Sequence, residues 1–133
     1  MLAAGLLAAC QAEAAPLVTI NDARVIALPA SAAVYFTLTN SGGRDRLVAV
    51  DAPGVGQASL HETSMADGIM RMRGLGGGIE VPAGATVPLS PSGKHVMIQG
   101  LVRPLSASST IRLTLKFERE GTVTIDAPVG GPR

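Results

Sequence analysis

The 133-residue chain holds two histidines and five methionines, and four of those methionines stand near one histidine or the other. "KHVMIQG" (94–100) sets His95 and Met97 two residues apart. "ASLHETSMADGIMRMRG" (58–74) carries His61 and then Met65, Met70 and Met72. A thioether sulfur is soft, neutral and not protonated in water, so it suits Cu(I) and suits zinc or magnesium poorly. Imidazole supports copper in either oxidation state. A set of two imidazoles and two thioethers is uncharged, and a monovalent ion in it leaves a single positive charge. The only cysteine, Cys10, lies close to the N-terminus, so the domain that follows offers no thiolate. That excludes a blue-copper electron-transfer site of the His2Cys kind. Taken singly, each methionine could equally fill a core gap, and each histidine could be a hydrogen-bonded structural residue.

Those side chains have to be positioned by strands. The period of two puts His95 and Met97 on one face of 94–100, with Val96 and Ile98 turned to the core. An imidazole and a thioether then stand about 6–7 Å apart along the strand, close enough to converge on one ion. "VYFTLT" (34–39) alternates Val34, Phe36 and Leu38 against Tyr35, Thr37 and Thr39. "TIRLTLKF" (110–117) alternates Ile111, Leu113, Leu115 and Phe117 against Arg112, Thr114 and Lys116, and "TVTID" (122–126) pairs with it across "EREG". Further apolar runs are "LVTI", "ARVIAL", "LVAV", "GIEV" and "ATVPL", and the turns between segments are "NSGG", "DAPG", "LGGG", "PAGA" and "SPSG". Short strands at even spacing between glycine- and proline-rich turns predict an all-β, Greek-key sandwich or barrel of one domain. No helical period is sustained, and prolines spread along the chain oppose long helices.

Composition removes several classes of function. Net charge is +1, from 11 basic and 10 acidic residues, and aromatics make up 2%. With no basic cluster and no interleaved aromatics, nucleic-acid binding is not expected. No G-x-S-x-G elbow is present, and no paired carboxylates can be placed, so the chain is not expected to be an enzyme. "GLGGG" (74–78) lacks the lysine of a phosphate loop and reads as a turn. Glu62, beside His61, is a candidate partner for that imidazole.

Residues 1–16 read as a targeting segment. The apolar run from Leu2 to Ala9 leads into small residues, with a cleavage site such as Ala12-Glu13-Ala14. "LLAAC" also has the form of a bacterial lipobox, in which Cys10 would be lipidated. Either reading predicts export to the periplasm, and contact with a membrane only through an N-terminal lipid anchor. The domain is expected over 17–129, with a short tail at 130–133.

The pattern resembles the periplasmic copper chaperones of the PCu(A)C type. His61, ten residues, Met72, 22 residues, His95, one residue and Met97 is similar to that family's H-x10-M-x21-H-x-M signature. "AAVYFTLTNSGGRDRLVAV" resembles its early strand pair, "LHETSMADGIMRMR" its first ligand loop and "IEVPAGATVPLSPSGKHVMIQGLVRPL" its second half. "IRLTLKFEREGTVTIDAPV" resembles its closing hairpin. The resemblance spans about 17–129 and departs by one extra residue between Met72 and His95, placed most simply in "GLGGG". It implies a cupredoxin-like fold and one Cu(I) held by His61, Met72, His95 and Met97. It implies delivery to the binuclear copper centre of a cytochrome c oxidase, either to its copper-centre subunit or through a thiol-bearing assembly factor, by a monomeric, non-enzymatic carrier. Met65 and Met70 are candidates to shield or gate the site. Two other readings remain open: a copper-sequestering or tolerance protein with no dedicated client, and a β-sandwich interaction domain with no metal.

Overall fold

A computed structural model describes residues 14–130. Cys10 and most of the targeting segment lie outside the described residues, as does the tail beyond Gly130. Among the described residues, ten strands and no helix form two sheets. The first sheet runs β1 (Val18–Ala27), β2 (Ala32–Asn40), β8 (Lys94–Gln99), β4 (Gln57–Ala66), β5 (Ile69–Gly74), and β7 (Thr86–Pro88) also pairs with β2. The second runs β10 (Thr122–Pro128), β9 (Thr110–Phe117), β3 (Asp45–Asp51), β6 (Ile79–Val81). The chain passes repeatedly between the sheets, as a Greek key requires. The sheets form a sandwich and do not close into a barrel, which is the first of the two architectures expected. A parallel bridge between Val25 and Val129 links one pair of edges. On the other side β5 and β6 belong to different sheets.

The alternation in each strand decides which face is buried. Val34, Phe36 and Leu38 of β2 are fully buried, and Val96 and Ile98 of β8 join them from the neighbouring strand. Leu47, Val50, Ile79, Val81, Leu113 and Leu115 close the core from the second sheet. Leu47 and Val50 both face inward although they are three residues apart. A bulge in β3 explains this: Leu47 pairs with Phe117 and Ala49 with Lys116, so Val48 is the extra residue and turns outward.

Two buried polar side chains tie the strands together. Asn40 at the end of β2 accepts from the Leu17 and Gly42 amides, at 3.2 and 2.9 Å. Its amide nitrogen donates to the carbonyls of Gly43, Val81 and Pro82, at 2.7, 3.1 and 3.2 Å. Asp45 accepts from the amides of Arg46, Arg119 and Glu120, which fastens β3 to the β9–β10 turn.

The "GLGGG" turn separates a tolerant stretch from a strict one. A Cβ on Gly76 or Gly77 would meet no atom within 4 Å. Gly78 has a φ of +83°, and a Cβ there would stand 2.4 Å from the Leu47 carbonyl oxygen. Gly78→Ala is therefore expected to destabilise the fold by about 2 kcal/mol or more, through both strain and overlap. Gly76→Ala and Gly77→Ala should stay within about 0.5 kcal/mol of the native chain. Urea denaturation midpoints of the three variants check this. Equal midpoints would mean that the close approach at Gly78 is not what shapes the turn.

Candidate metal centre

The register of three neighbouring strands assembles the centre. His61 of β4 lies directly opposite His95 of β8, and Ser59 lies opposite Met97. On the other side of β4, Thr63 lies opposite Met72 and His61 opposite Gly74. Because side chains alternate, His61, His95, Met97 and Met72 all project from the outer face of the first sheet. Met72 and Met97 occupy the diagonal positions beside His61, about 7–8 Å away at the backbone and within reach of long side chains.

The two imidazole rings stand 6.1 Å apart between centroids, tilted by 47°. A metal held by a ring nitrogen at about 2 Å lies roughly 3.2 Å from the ring centroid, so two rings sharing one ion keep their centroids within about 6.4 Å. The spacing therefore fits a shared ion. His95 Nδ1 donates to the Gly93 carbonyl at 3.0 Å, since a carbonyl can only accept. That fixes the neutral tautomer and leaves the Nε2 lone pair of His95 for a ligand. His61 Nε2 shares a 2.9 Å hydrogen bond with Ser59 Oγ, and its Nδ1 is buried with no partner. A bare lone pair is less costly to bury than a bare N–H. Nε2–H therefore donates to Ser59, and Nδ1 is an unsatisfied acceptor. Both rings present one unprotonated nitrogen, as a soft cation requires.

Burial pushes the His61 pKa below its ordinary value, and the neighbouring His95 charge pushes it the same way. With a folded pKa below the unfolded one, this group supports stability fully above the unfolded value of about 6.5. That support is lost as pH falls towards the folded pKa. The His61 ring should therefore titrate below the ordinary histidine range in the apo protein, as an NMR pH titration of its ring protons would show. A midpoint at or above the unfolded value would remove this account.

His95 faces outward by parity, yet it is only 2% exposed. The outer face of the strand is closed over at this residue. Tyr35 packs against it with ring centroids 6.3 Å apart, and the Arg24 guanidinium covers Tyr35 at 5.4 Å from the ring centroid. Arg24 reaches that place through a bulge: Asn21 pairs with Thr37 and Arg24 with Tyr35, three residues against two. Without the extra residue Arg24 would lie opposite Val34 and face the core. Asp22, within the bulge, adopts a φ of 57°.

Glu62 does not serve His61. It points to the opposite face, where Arg73 and Lys94 hold it at 3.1 and 3.4 Å. The imidazole partners are instead Ser59 and the Gly93 carbonyl. The segment read as a ligand loop is a regular hairpin, β4–β5. Its two-residue turn, Asp67–Gly68, has φ of 54° and 76°, as a type I′ turn demands. The Asp-Gly pair was a sequence signal for that turn. Met65, Met70 and Met72 are exposed along it, by 62, 63 and 53%. Among the described residues, no group of three or more His, Cys, Asp or Glu side chains converges to hold a metal.

Comparison with known proteins gives this geometry its setting. The profile of the family described as "Putative lipoprotein LpqE-like" matches residues 18–129. A protein of Leifsonia xyli named "Putative lipoprotein Lxx21020" is 34% identical over 98 residues, which cover 73% of this chain and 59% of that protein. The chain thus spans about three fifths of the length of that relative. Among solved structures, the copper-bound PCuAC domain from PmoF2 superposes with a TM-score of 0.69 at 26% identity, covering 86% of this chain and 93% of that one. The Cu(I) form of DR1885 from Deinococcus radiodurans superposes with a TM-score of 0.66 at 30% identity, covering 95% and 85%.

Proposed function

Because the chain belongs to the LpqE-like family, a family of the PCuAC type, we propose that it is a copper-binding chaperone. In this reading it carries one Cu(I) on His61, Met72, His95 and Met97. The observation that carries the reading is the direct pairing of His61 with His95 across two strands, with a buried, unpartnered Nδ1 on His61 and thioethers at the diagonal positions. Copper-bound relatives of the same fold support the choice of ion. The donor set supports the oxidation state, because soft, neutral, low-coordinate ligands favour Cu(I) over Cu(II).

The residues divide the work. His95, locked by Gly93 and walled in by Tyr35, is the fixed anchor. His61 adds the second nitrogen, and its neutral form persists below ordinary histidine pH because of burial and the His95 charge. Met97 and Met72 complete the set from either side. Met72 stands on the exposed edge strand, so it is the ligand an acceptor reaches first. A thioether leaves without taking a proton, and incoming thiolates can replace such ligands one at a time. The client in this proposal is a thiolate-bearing copper centre of a cytochrome c oxidase or its thiol-bearing assembly factor. The chain works outside the cytoplasm, either processed near Ala14 or held to the membrane by lipid on Cys10.

Anaerobic titration with Cu(I) against a chromophoric chelator tests the reading. One ion per chain, passed on to a dithiol acceptor, is the expected result. No uptake under reducing conditions would leave an interaction domain. Uptake with no release to thiols would leave a sequestering protein.

A further inference from the structure

Outside the His/Met set, the feature that calls for an account is the hairpin β4–β5. It bears Met65, Ile69, Met70 and Met72, four of the eight large apolar side chains that are exposed among the described residues. Three of these are thioethers, and all three lie on the face that carries His61. Met65 lies directly opposite Met70, and Met72 follows Met70 by one pleat repeat. In a hairpin closed by a two-residue turn, Ala66 and Ile69 form the hydrogen-bonded pair, so Met65 and Met70 form the narrow pair, with backbones about 4.5 Å apart. The next methionine stands about 6–7 Å along the strand. Three flexible thioethers at that spacing can meet around one ion. The other face of the hairpin bears Ser64, Arg71 and Arg73, with Glu62 held by the last of these. The sulfur stripe is therefore one-sided.

We propose that Met65, Met70 and Met72 form a second, outer site for Cu(I), a landing site from which the ion passes inward with Met72 kept as a ligand throughout. An all-thioether site takes soft monovalent ions and excludes the zinc and magnesium that surround a cell. Its ligands are exposed, so it accepts an ion from solution or from a weak donor without any opening of the fold. Met72 sits diagonal to His61, and exchange of Met65 and Met70 for His61 and His95 moves the ion one strand inward. No proton and no electron is transferred in this step. The inner destination rests on the reading of the preceding section, whereas the outer site does not.

The test uses the 133-residue chain with His61→Ala and His95→Ala, labelled at the methionine methyls and titrated anaerobically with the acetonitrile complex of Cu(I). The methyls of Met65, Met70 and Met72 are expected to shift together and saturate at one equivalent, while Met97 stays in place. Unmoved Met65 and Met70 methyls overturn the proposal, and so does an equal response from Met97. A second measurement guards against misfolding of that variant. In the otherwise native chain, Met65→Leu with Met70→Leu should slow loading from dilute Cu(I) by about tenfold through the lost local capture, with outer-site binding lost and the equilibrium affinity of the inner His61–His95 site, which contains neither residue, unchanged. An unchanged loading rate overturns the landing role. If the native chain holds no ion at His61 and His95 while the hairpin methyls still respond, the preceding reading falls and the outer site stands.

Discussion

Replacing His95 with alanine is expected to abolish high-affinity Cu(I) binding, with a loss of more than about 100-fold. Removal of a mere outer partner of a ligand commonly costs 10–100-fold, and His95 is the ligand itself in the proposed set. Three observations make it the most sensitive position. It is almost fully buried beneath Tyr35. Its tautomer is set by the Gly93 carbonyl. It faces His61 directly across the ladder. Alanine removes the nitrogen, leaves the Gly93 carbonyl with the Thr63 amide as its remaining donor and opens the wall that Tyr35 makes. Ser59→Ala touches only the hydrogen bond to His61 Nε2, so a loss of up to about tenfold is expected there. Competition with a Cu(I) chelator measures both, after circular dichroism has shown that the sheets are intact. A His95→Ala chain that holds copper as tightly as the native one would remove His95 from the site.

The second large effect is structural. Asn40→Ala is expected to destabilise the domain by about 3–5 kcal/mol, because an unsatisfied buried polar group costs about 1–3 kcal/mol and several are created at once. The Asn40 amide bonds two backbone N–H groups and three carbonyls drawn from the start of β1, the turn after β2 and the end of β6. Alanine keeps the backbone and removes every one of these. Asn40→Asp separates the causes. It preserves the acceptor for Leu17 and Gly42 but aims a carboxylate at three carbonyl oxygens, so it should be no better than alanine. Thermal and urea unfolding measure both variants. A loss below about 1 kcal/mol for Asn40→Ala would mean that water replaces the side chain at this junction.

Much of this fold is legible along single strands. Val34, Phe36 and Leu38, or Ile111, Leu113, Leu115 and Phe117, declare their inward face by alternation, and the structure buries them all. Val96 and Ile98 turn inward for the same reason, which sends His95 and Met97 outward. What the strand alone does not carry is its neighbour. Burial of His95 depends on Tyr35, far away in sequence on the adjacent strand β2, and Tyr35 is itself covered only because a bulge re-aims Arg24. Bulges at Asp22 and Val48 break the period of two, and no local signal in "NDARV" or "LVAV" announces them. The place of Glu62 was more accessible: once His61 lies in a strand, its sequence neighbour must face the other way. Reading 60–73 as a loop hid that consequence, although Asp67–Gly68 marks a tight hairpin.

The edge position of β5 bears on rigidity as well as chemistry. All six of its residues are exposed, it is hydrogen-bonded to β4 on one side, and among the described residues no strand follows it in the ladder order. A cation shared among β5, β4 and β8 would act as a clasp on this outermost ribbon. Filled, the protein should hold its β5 amides against deuterium exchange; empty, it should fray there first. A receiving partner could then tell a laden carrier from a spent one by the stiffness of a single strand.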